Sequence, residues 1–216
     1  HIYNRSGRPL DDALPAFLAS TWNDPCYNTG LWHGGGNFLA HSDGNAFIST
    51  LIRDENPGYS ADDINDIFRS YYNVNLTVYP RLISNVDATG HIDMWLMPLP
   101  GNKFIVSKFP TSHPISRAST DAAAADLQSR GYTVYRIPAR NTTGEGASGG
   151  SHLTYTNCAI VNNKIFVPVY NSTLYPTEGP NDTNAWTVYA AACTGWERVR
   201  RDCKAIISLG GAMNCT

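Results

Sequence analysis

His91 and Asp93 stand two residues apart behind Gly90, and on an extended chain that spacing puts both side chains on one face. A His and an Asp on one face can pass a proton or hold a cation, and a neighbouring glycine lets a ligand come close. The pair is also a common fragment of metal sites and of satisfied structural contacts, so alone it selects no chemistry. Three further groups share this character: Gly34-Gly35-Gly36-Asn37 leading to Asp43, Asn157 after Thr154-Tyr155-Thr156, and Cys215 after Gly210-Gly211-Ala212-Met213-Asn214. A thiol among glycines is a nucleophile candidate, because small residues allow backbone groups to approach a reacting centre.

The chain carries five cysteines, Cys26, Cys158, Cys193, Cys203 and Cys215. In an oxidising compartment four can pair and one stays free. The expected bridges are Cys193 with Cys203, which flank a helix-to-strand turn, and Cys26 with Cys158. Six N-x-S/T sequons, together with few lysines and abundant Tyr, Asn and Thr, give the expectation of a secreted glycoprotein. Asn4, Asn75, Asn141, Asn171 and Asn181 are the expected glycan sites; the sixth, at Asn214, contains Cys215 and is set aside. Hydrophobic residues make up 42% and charged residues 16%, the balance of a globular chain. A formal charge of −2 argues against nucleic acid or an anionic membrane as the main partner, since both require a basic patch. No apolar run approaches the roughly 20 residues of a membrane helix.

The groups that could do chemistry need a scaffold, and the scaffold repeats. Residues 31–40 and 45–53 read as strands joined by His41-Ser42-Asp43-Gly44, followed by a helix over 60–71 with Ser60 as N-cap and a strand over 74–79. The order returns with strands over 91–99 and 103–109, an alanine-rich helix over 120–130 stopped by Gly131, and a strand over 132–137. It returns again with strands over 153–161 and 164–170 about a tight Asn162-Asn163 turn, a helix over 182–192 and a strand over 197–201. A brief helix is expected over 14–19, and a last strand over 204–209 that leads to Cys215. The chain thus reads as a single α/β domain over residues 1–216. It comprises three strand–strand–helix–strand units, at about 31–79, 90–137 and 152–202, and a C-terminal strand bearing Cys215.

Gly34-Gly35-Gly36-Asn37 with Asp43-Gly44, His91-Ile92-Asp93-Met94-Trp95, Tyr155-Thr156-Asn157 with Val161-Asn162-Asn163 and Val167-Pro168, and Gly210-Gly211-Ala212-Met213-Asn214-Cys215-Thr216 carry a resemblance. From about residue 31 to the C-terminus the chain resembles the bacterial-type peptidylarginine deiminase and agmatine deiminase family. That resemblance implies the pentein fold, a five-fold α/β propeller of such units. It implies Cys215 as nucleophile, with His91, Asp93 and Asn157 beside it, and a substrate held among Asp43, Asp93, Asn37 and Trp95. The family often has His directly before the cysteine, where this chain has Asn214, and about one further repeat before the glycine-rich strand. Part of the N-terminal repeat is therefore expected to be missing here. Roughly 80–100 residues, expected as a separate chain held non-covalently or by a disulfide, would complete the ring.

The implied reaction suits these residue types. A guanidinium is planar, permanently charged and presents N–H donors in a fixed fork. Asp43 and Asp93 are expected to grip its edges through charge-assisted bonds. Cys215 as thiolate attacks the central carbon, and His91 protonates the departing ammonia and then activates water. Neutral Asn157 holds the geometry. Neither a metal nor an organic cofactor is required. The expected substrate is a peptide arginine; agmatine, free arginine, an amidinotransferase and a pentein that binds guanidinium without turnover remain open. A different class would use His1 as one arm of a copper site, with His33, His41, His113 or His152 as second imidazole, but such enzymes are usually all-β and this chain alternates strands with helices.

Overall fold

The computed structural model describes residues 9–215. Helix α1 (Pro9–Trp22) is longer than the turn or two expected there, and Leu10, Leu14, Phe17 and Trp22 on it are exposed. Three sheets of matching build follow. In the first, β1 (Leu39–Ala40) pairs antiparallel with β2 (Asn45–Ser49); the short α2 (Leu51–Glu55) and then α3 (Ala61–Tyr72) lead to β3 (Asn75–Tyr79), parallel to β2. In the second, β4 (Leu96–Leu99) and β5 (Lys103–Lys108) form the hairpin, α4 (Pro114–Ser129) crosses over, and β6 (Thr133–Asn141) lies parallel to β5. A further strand, β7 (His152–Thr154), joins β6 antiparallel. In the third, β8 (Ala159–Val161) and β9 (Lys164–Val169) are the hairpin, α5 (Gly179–Ala192) the crossover and β10 (Glu197–Asp202) the parallel strand.

Local chemistry sets several of these boundaries. Ser60 and Asp63 cap α3 reciprocally, the Ser60 side chain accepting from the Asp63 N–H while the Asp63 carboxylate accepts from the Ser60 N–H. Asn73 closes the helix in the left-handed conformation. Asn162 and Asn163 both have positive φ, the backbone a two-residue hairpin needs. Apolar residues of the sheets and helices gather into three buried clusters, around Phe68 and Ile48, around Phe47, Trp95 and Phe104, and around Tyr155, Tyr170 and Tyr189.

Four expected strands are corrected. The runs 31–40 and 91–99 are strands only in their second halves, and their first halves turn through short 3-10 helices at Gly35–Asn37 and Ile92–Met94. The run 153–161 breaks between β7 and β8. In each case side-chain oxygens satisfy backbone donors that a strand ladder would otherwise take: Asn37 Oδ1 accepts from the N–H of Ser49 and of Ile92, and Thr154 Oγ1 from that of Thr156. Residues 204–209 form no strand: they end in a 3-10 helix at Ile207–Leu209, which Gly210 closes at φ +96°. Cys215 therefore sits on an irregular segment.

Candidate active site

The turn that carries His91 and Asp93 belongs to the second unit and is stitched to both neighbours. From the first, the Ser49 hydroxyl donates to the Gly90 carbonyl at 2.5 Å, and Asn37 bridges Ser49 and Ile92. From the third, Thr154 donates to the Met94 carbonyl at 2.6 Å and Thr156 to the Asp93 carbonyl at 3.1 Å. His91 caps the 3-10 helix and Asp93 lies within it, so they are not on a strand as expected. They converge nonetheless. A Cβ built on Gly36 would lie 2.7 Å from His91 Nδ1 and 2.9 Å from Asp93 Oδ2, so both side chains rest against bare backbone at that residue.

Asn157 brings the C-terminal segment to this turn. Its Oδ1 accepts from the backbone N–H groups of Ala212 at 2.9 Å, Asn214 at 3.0 Å and Cys215 at 3.3 Å, and its own carbonyl accepts from Met213. Its Nδ2 lies 2.9 Å from Asp93 Oδ2 and 3.0 Å from Cys215 Sγ. Asn214 Nδ2 also donates to Asp93 Oδ2, at 2.8 Å, and Cys215 Sγ stands 3.3 Å from the same oxygen. Three donors thus load one carboxylate oxygen, while Asp93 Oδ1 is buried and accepts no hydrogen bond. One ligand atom each from His91, Asp93 and Cys215 lie within 4.8 Å of one another, the one such group of potential metal ligands among the described residues.

Burial pushes the Asp93 carboxyl up to about 6, against the pull of its bonds from Asn214, Cys215 and Asn157. Cys215 is exposed as a residue, but partial desolvation of its sulfur, and next the charge of Asp93, holds the thiol well above its ordinary value. Asp87 is a residue that sequence reasoning missed. It is 4% exposed, and burial raises its carboxyl to about 6. Its Oδ1 accepts from the Thr89 N–H and hydroxyl, and Thr89 Oγ1 in turn accepts from the His91 N–H. Gly210, on the Cys215 side, abuts Thr89. The signal was present in Asp87-Ala88-Thr89-Gly90, the composition of an Asx turn placed directly before His91.

Other expected site residues are corrected. Asp43 lies at the tip of the β1–β2 hairpin, bonded to Tyr132, the Asn45 N–H and His41. Against the upward push of burial, the hydrogen bonds, led by that from Tyr132, hold its carboxyl far below the usual range. The length of β2, about 13 Å at roughly 3.3 Å per residue, separates that tip from Ser49 at the site, so Asp43 cannot share a guanidinium with Asp93. Trp95 is fully buried and packs on Tyr79 in the core, because the backbone turns between Met94 and Leu96. Asn37, also fully buried, stays beside the site: its Oδ1 holds the backbone of Ser49 and Ile92, and its Nδ2 has no hydrogen-bond partner among the described residues.

All five cysteines carry free thiols, in place of the expected Cys193–Cys203 and Cys26–Cys158 bridges. Cys158, Cys193 and Cys203 are buried in one apolar cluster, and Cys26 is exposed. Asn141 is 1% exposed with its amide bonded to Asn85 and Thr143, which removes it as a glycan site; Asn75 and Asn171 are exposed, Asn181 half-buried, and Asn4 lies outside the described residues. His1 lies outside them too. Of the other copper candidates, His33 contacts Tyr72, His41 pairs with Asp43, and His113 and His152 are buried against Phe109.

Comparison with known proteins bears on the whole chain. The family model for Porphyromonas-type peptidyl-arginine deiminase matches residues 3–216. Among solved structures, an agmatine deiminase of C. jejuni with substrate bound is similar at 16% identity and TM-score 0.78, over 95% of this chain and 61% of that one. The agmatine deiminase of Enterococcus faecalis is similar at 16% identity and TM-score 0.76, over 99% and 63%. A dimethylarginine dimethylaminohydrolase adduct is similar at 13% identity and TM-score 0.57, over 98% and 68%. At these identities the likeness establishes a shared mixed α/β fold, and the chain spans about three fifths of the length of the two agmatine deiminases.

Proposed function

The chain belongs to the Porphyromonas-type peptidyl-arginine deiminase family, and on that premise we propose that it hydrolyses the guanidinium of a peptide arginine to a ureido group and ammonia. The three matching sheets are then three blades of a pentein-type propeller. The observation that carries the reading is the convergence of Cys215 Sγ, Asp93 Oδ2 and Asn157 Nδ2 within 3.3 Å of one another, with His91 in the same cluster.

Each group has a task that its position supports. Asp93 offers its unpartnered Oδ1 to a guanidinium N–H, since Oδ2 is already filled. Asp87 adds a second buried carboxyl within electrostatic reach of Asp93 and Cys215, a role first expected of Asp43. The Cys215 S–H proton passes to His91 as the sulfur bonds to the guanidinium carbon, and His91 gives that proton to the departing nitrogen, which leaves as ammonia. His91 then takes a proton from water as its oxygen attacks the same carbon, the carbon–sulfur bond breaks, and the thiol is restored. Asn157 holds the Cys215 backbone throughout and contributes no charge.

The identity of the guanidine is tested by ammonia release from three substrates: an arginine peptide blocked at both ends, free arginine, and agmatine. The proposal expects turnover of the blocked peptide with kcat/KM above that of the other two. Preference for agmatine, the substrate named in the similar C. jejuni and E. faecalis enzymes, would move the reading to the small amine. Product formed only with an added amine acceptor would make the chain an amidinotransferase, and binding without ammonia from any of the three would make it a guanidinium-binding protein.

A further inference from the structure

His91, Asp93 and Cys215 form a ligand set as well as a catalytic one. They offer one imidazole nitrogen, one carboxylate oxygen and one sulfur, all within 4.8 Å of one another. In a tetrahedral zinc site with bonds of about 2.0–2.3 Å, ligand atoms stand roughly 3.3–3.8 Å apart. The Cys215 Sγ to Asp93 Oδ2 separation is 3.3 Å already. Drawing the three onto one ion therefore takes movements of about 1 Å, within side-chain reach. Mixed nitrogen, oxygen and sulfur donors suit Zn2+, and three protein ligands leave its fourth position open.

The surroundings favour a cation independently. Asp93 is 1% exposed and its Oδ1 accepts no hydrogen bond, so half of a buried carboxylate lacks a partner that a metal bond would supply. The buried carboxyl of Asp87 acts electrostatically on both Asp93 and Cys215.

We propose that this cluster binds one Zn2+ per chain and that zinc and guanidinium exclude each other, which makes the metal a reversible off-switch. The switch rests on the function proposed above; the binding does not. On binding, the Cys215 thiol proton leaves to solvent and a sulfur–zinc bond forms. The lone pair needed for attack on a guanidinium carbon is then engaged, and Asp93 is neutralised by the metal.

The test uses the full chain, treated with a chelator and then freed of it. Zn2+ is titrated calorimetrically, with Co2+ in parallel because its charge-transfer absorption reports thiolate ligation. The expected result is one ion per chain and a thiolate band, with binding about 100-fold weaker in Cys215→Ala and about tenfold weaker in His91→Ala. Cys215→Ser serves if the alanine variant does not fold, and Cys26→Ser leaves binding unchanged. Saturating Zn2+ should slow alkylation of Cys215 by iodoacetamide about tenfold or more, and chelator should restore it. Absence of stoichiometric binding, or binding unaltered in both the Cys215 and His91 variants, overturns the proposal. None of these readouts involves turnover. A chain that binds zinc through these residues but releases no ammonia keeps the site and loses the function; a deiminase that binds no zinc does the reverse.

Discussion

Replacing Gly36 with alanine adds one methyl group whose nearest neighbours are the reacting side chains. The new Cβ would lie 2.7 Å from His91 Nδ1, 2.9 Å from Asp93 Oδ2 and 3.2 Å from Asp93 Cγ. Ordinary carbon–nitrogen and carbon–oxygen contacts are near 3.5 Å, so His91 and Asp93 must retreat by about 0.6–0.8 Å. Gly36 does not hold the left-handed backbone that strains an alanine, so the cost falls on the site and not on the fold. Misplacing a catalytic group by about 1 Å costs on the order of a hundredfold, equivalent to about 2.7 kcal/mol of barrier. Gly36→Ala should therefore lower kcat/KM for ammonia release about a hundredfold, with a melting temperature within about 3 °C of the parent. Gly58→Ala, where an added Cβ meets nothing within 4 Å, is the control and should change neither. A Gly36→Ala protein with kcat/KM within about twofold of the parent would sink the reasoning, because it would place the reacting groups somewhere other than against Gly36.

Asn157→Ala removes the acceptor of three backbone N–H groups and the donor to Asp93 and Cys215, so thermal unfolding should show a loss on the order of 3 kcal/mol, roughly 10 °C, together with lost turnover. Unchanged melting would contradict the placement of the C-terminal segment on Asn157. Asp43→Asn, at the far hairpin tip, should leave kcat/KM within about twofold; a loss of a hundredfold would return Asp43 to the site. His152 is buried with neither ring nitrogen bonded, and burial, then the charge of His113, lowers its pKa to about 3 from an ordinary 6.5. The unfolded chain therefore binds the extra proton between those values, and the stability His152 contributes above pH 6.5 is lost as pH falls toward 3, by up to about 1.4 kcal/mol per unit. Denaturant unfolding of the parent and of His152→Leu across that range should diverge by this slope. The difference cancels Asp87 and Asp93, whose raised values act in the opposite sense; parallel curves would show that His152 is not buried neutral.

What the sequence disclosed was local. Ser60 three residues before Asp63, Asn162-Asn163 between apolar runs and Gly131 after an alanine-rich helix each specify a cap or turn within a few residues, and each lies where it was expected. The repeated unit emerged from those signals. What it hid was direction. His91-x-Asp93 reads as a strand pair, yet Asn37 and Ser49, more than 40 residues upstream, hold that backbone in a 3-10 turn. Asp43 and Trp95 lie in the right motifs, but the hairpin carries one to the far end of β2 and the core takes the side chain of the other. The meeting of Asn157 with Cys215, 58 residues apart, was legible only through the family resemblance. The C-terminal segment has no periodicity of its own, because its backbone bonds go to one asparagine instead of a neighbouring strand.

The most direct test of the central claim is ammonia release from a blocked arginine peptide by the parent and by Cys215→Ala, measured side by side with both proteins shown folded by circular dichroism. The parent should release ammonia steadily, with one ureido group formed per ammonia, and the variant none above the uncatalysed background. Release by Cys215→Ala at the rate of the parent would contradict it, since no other thiol among the described residues reaches Asp93 and Asn157.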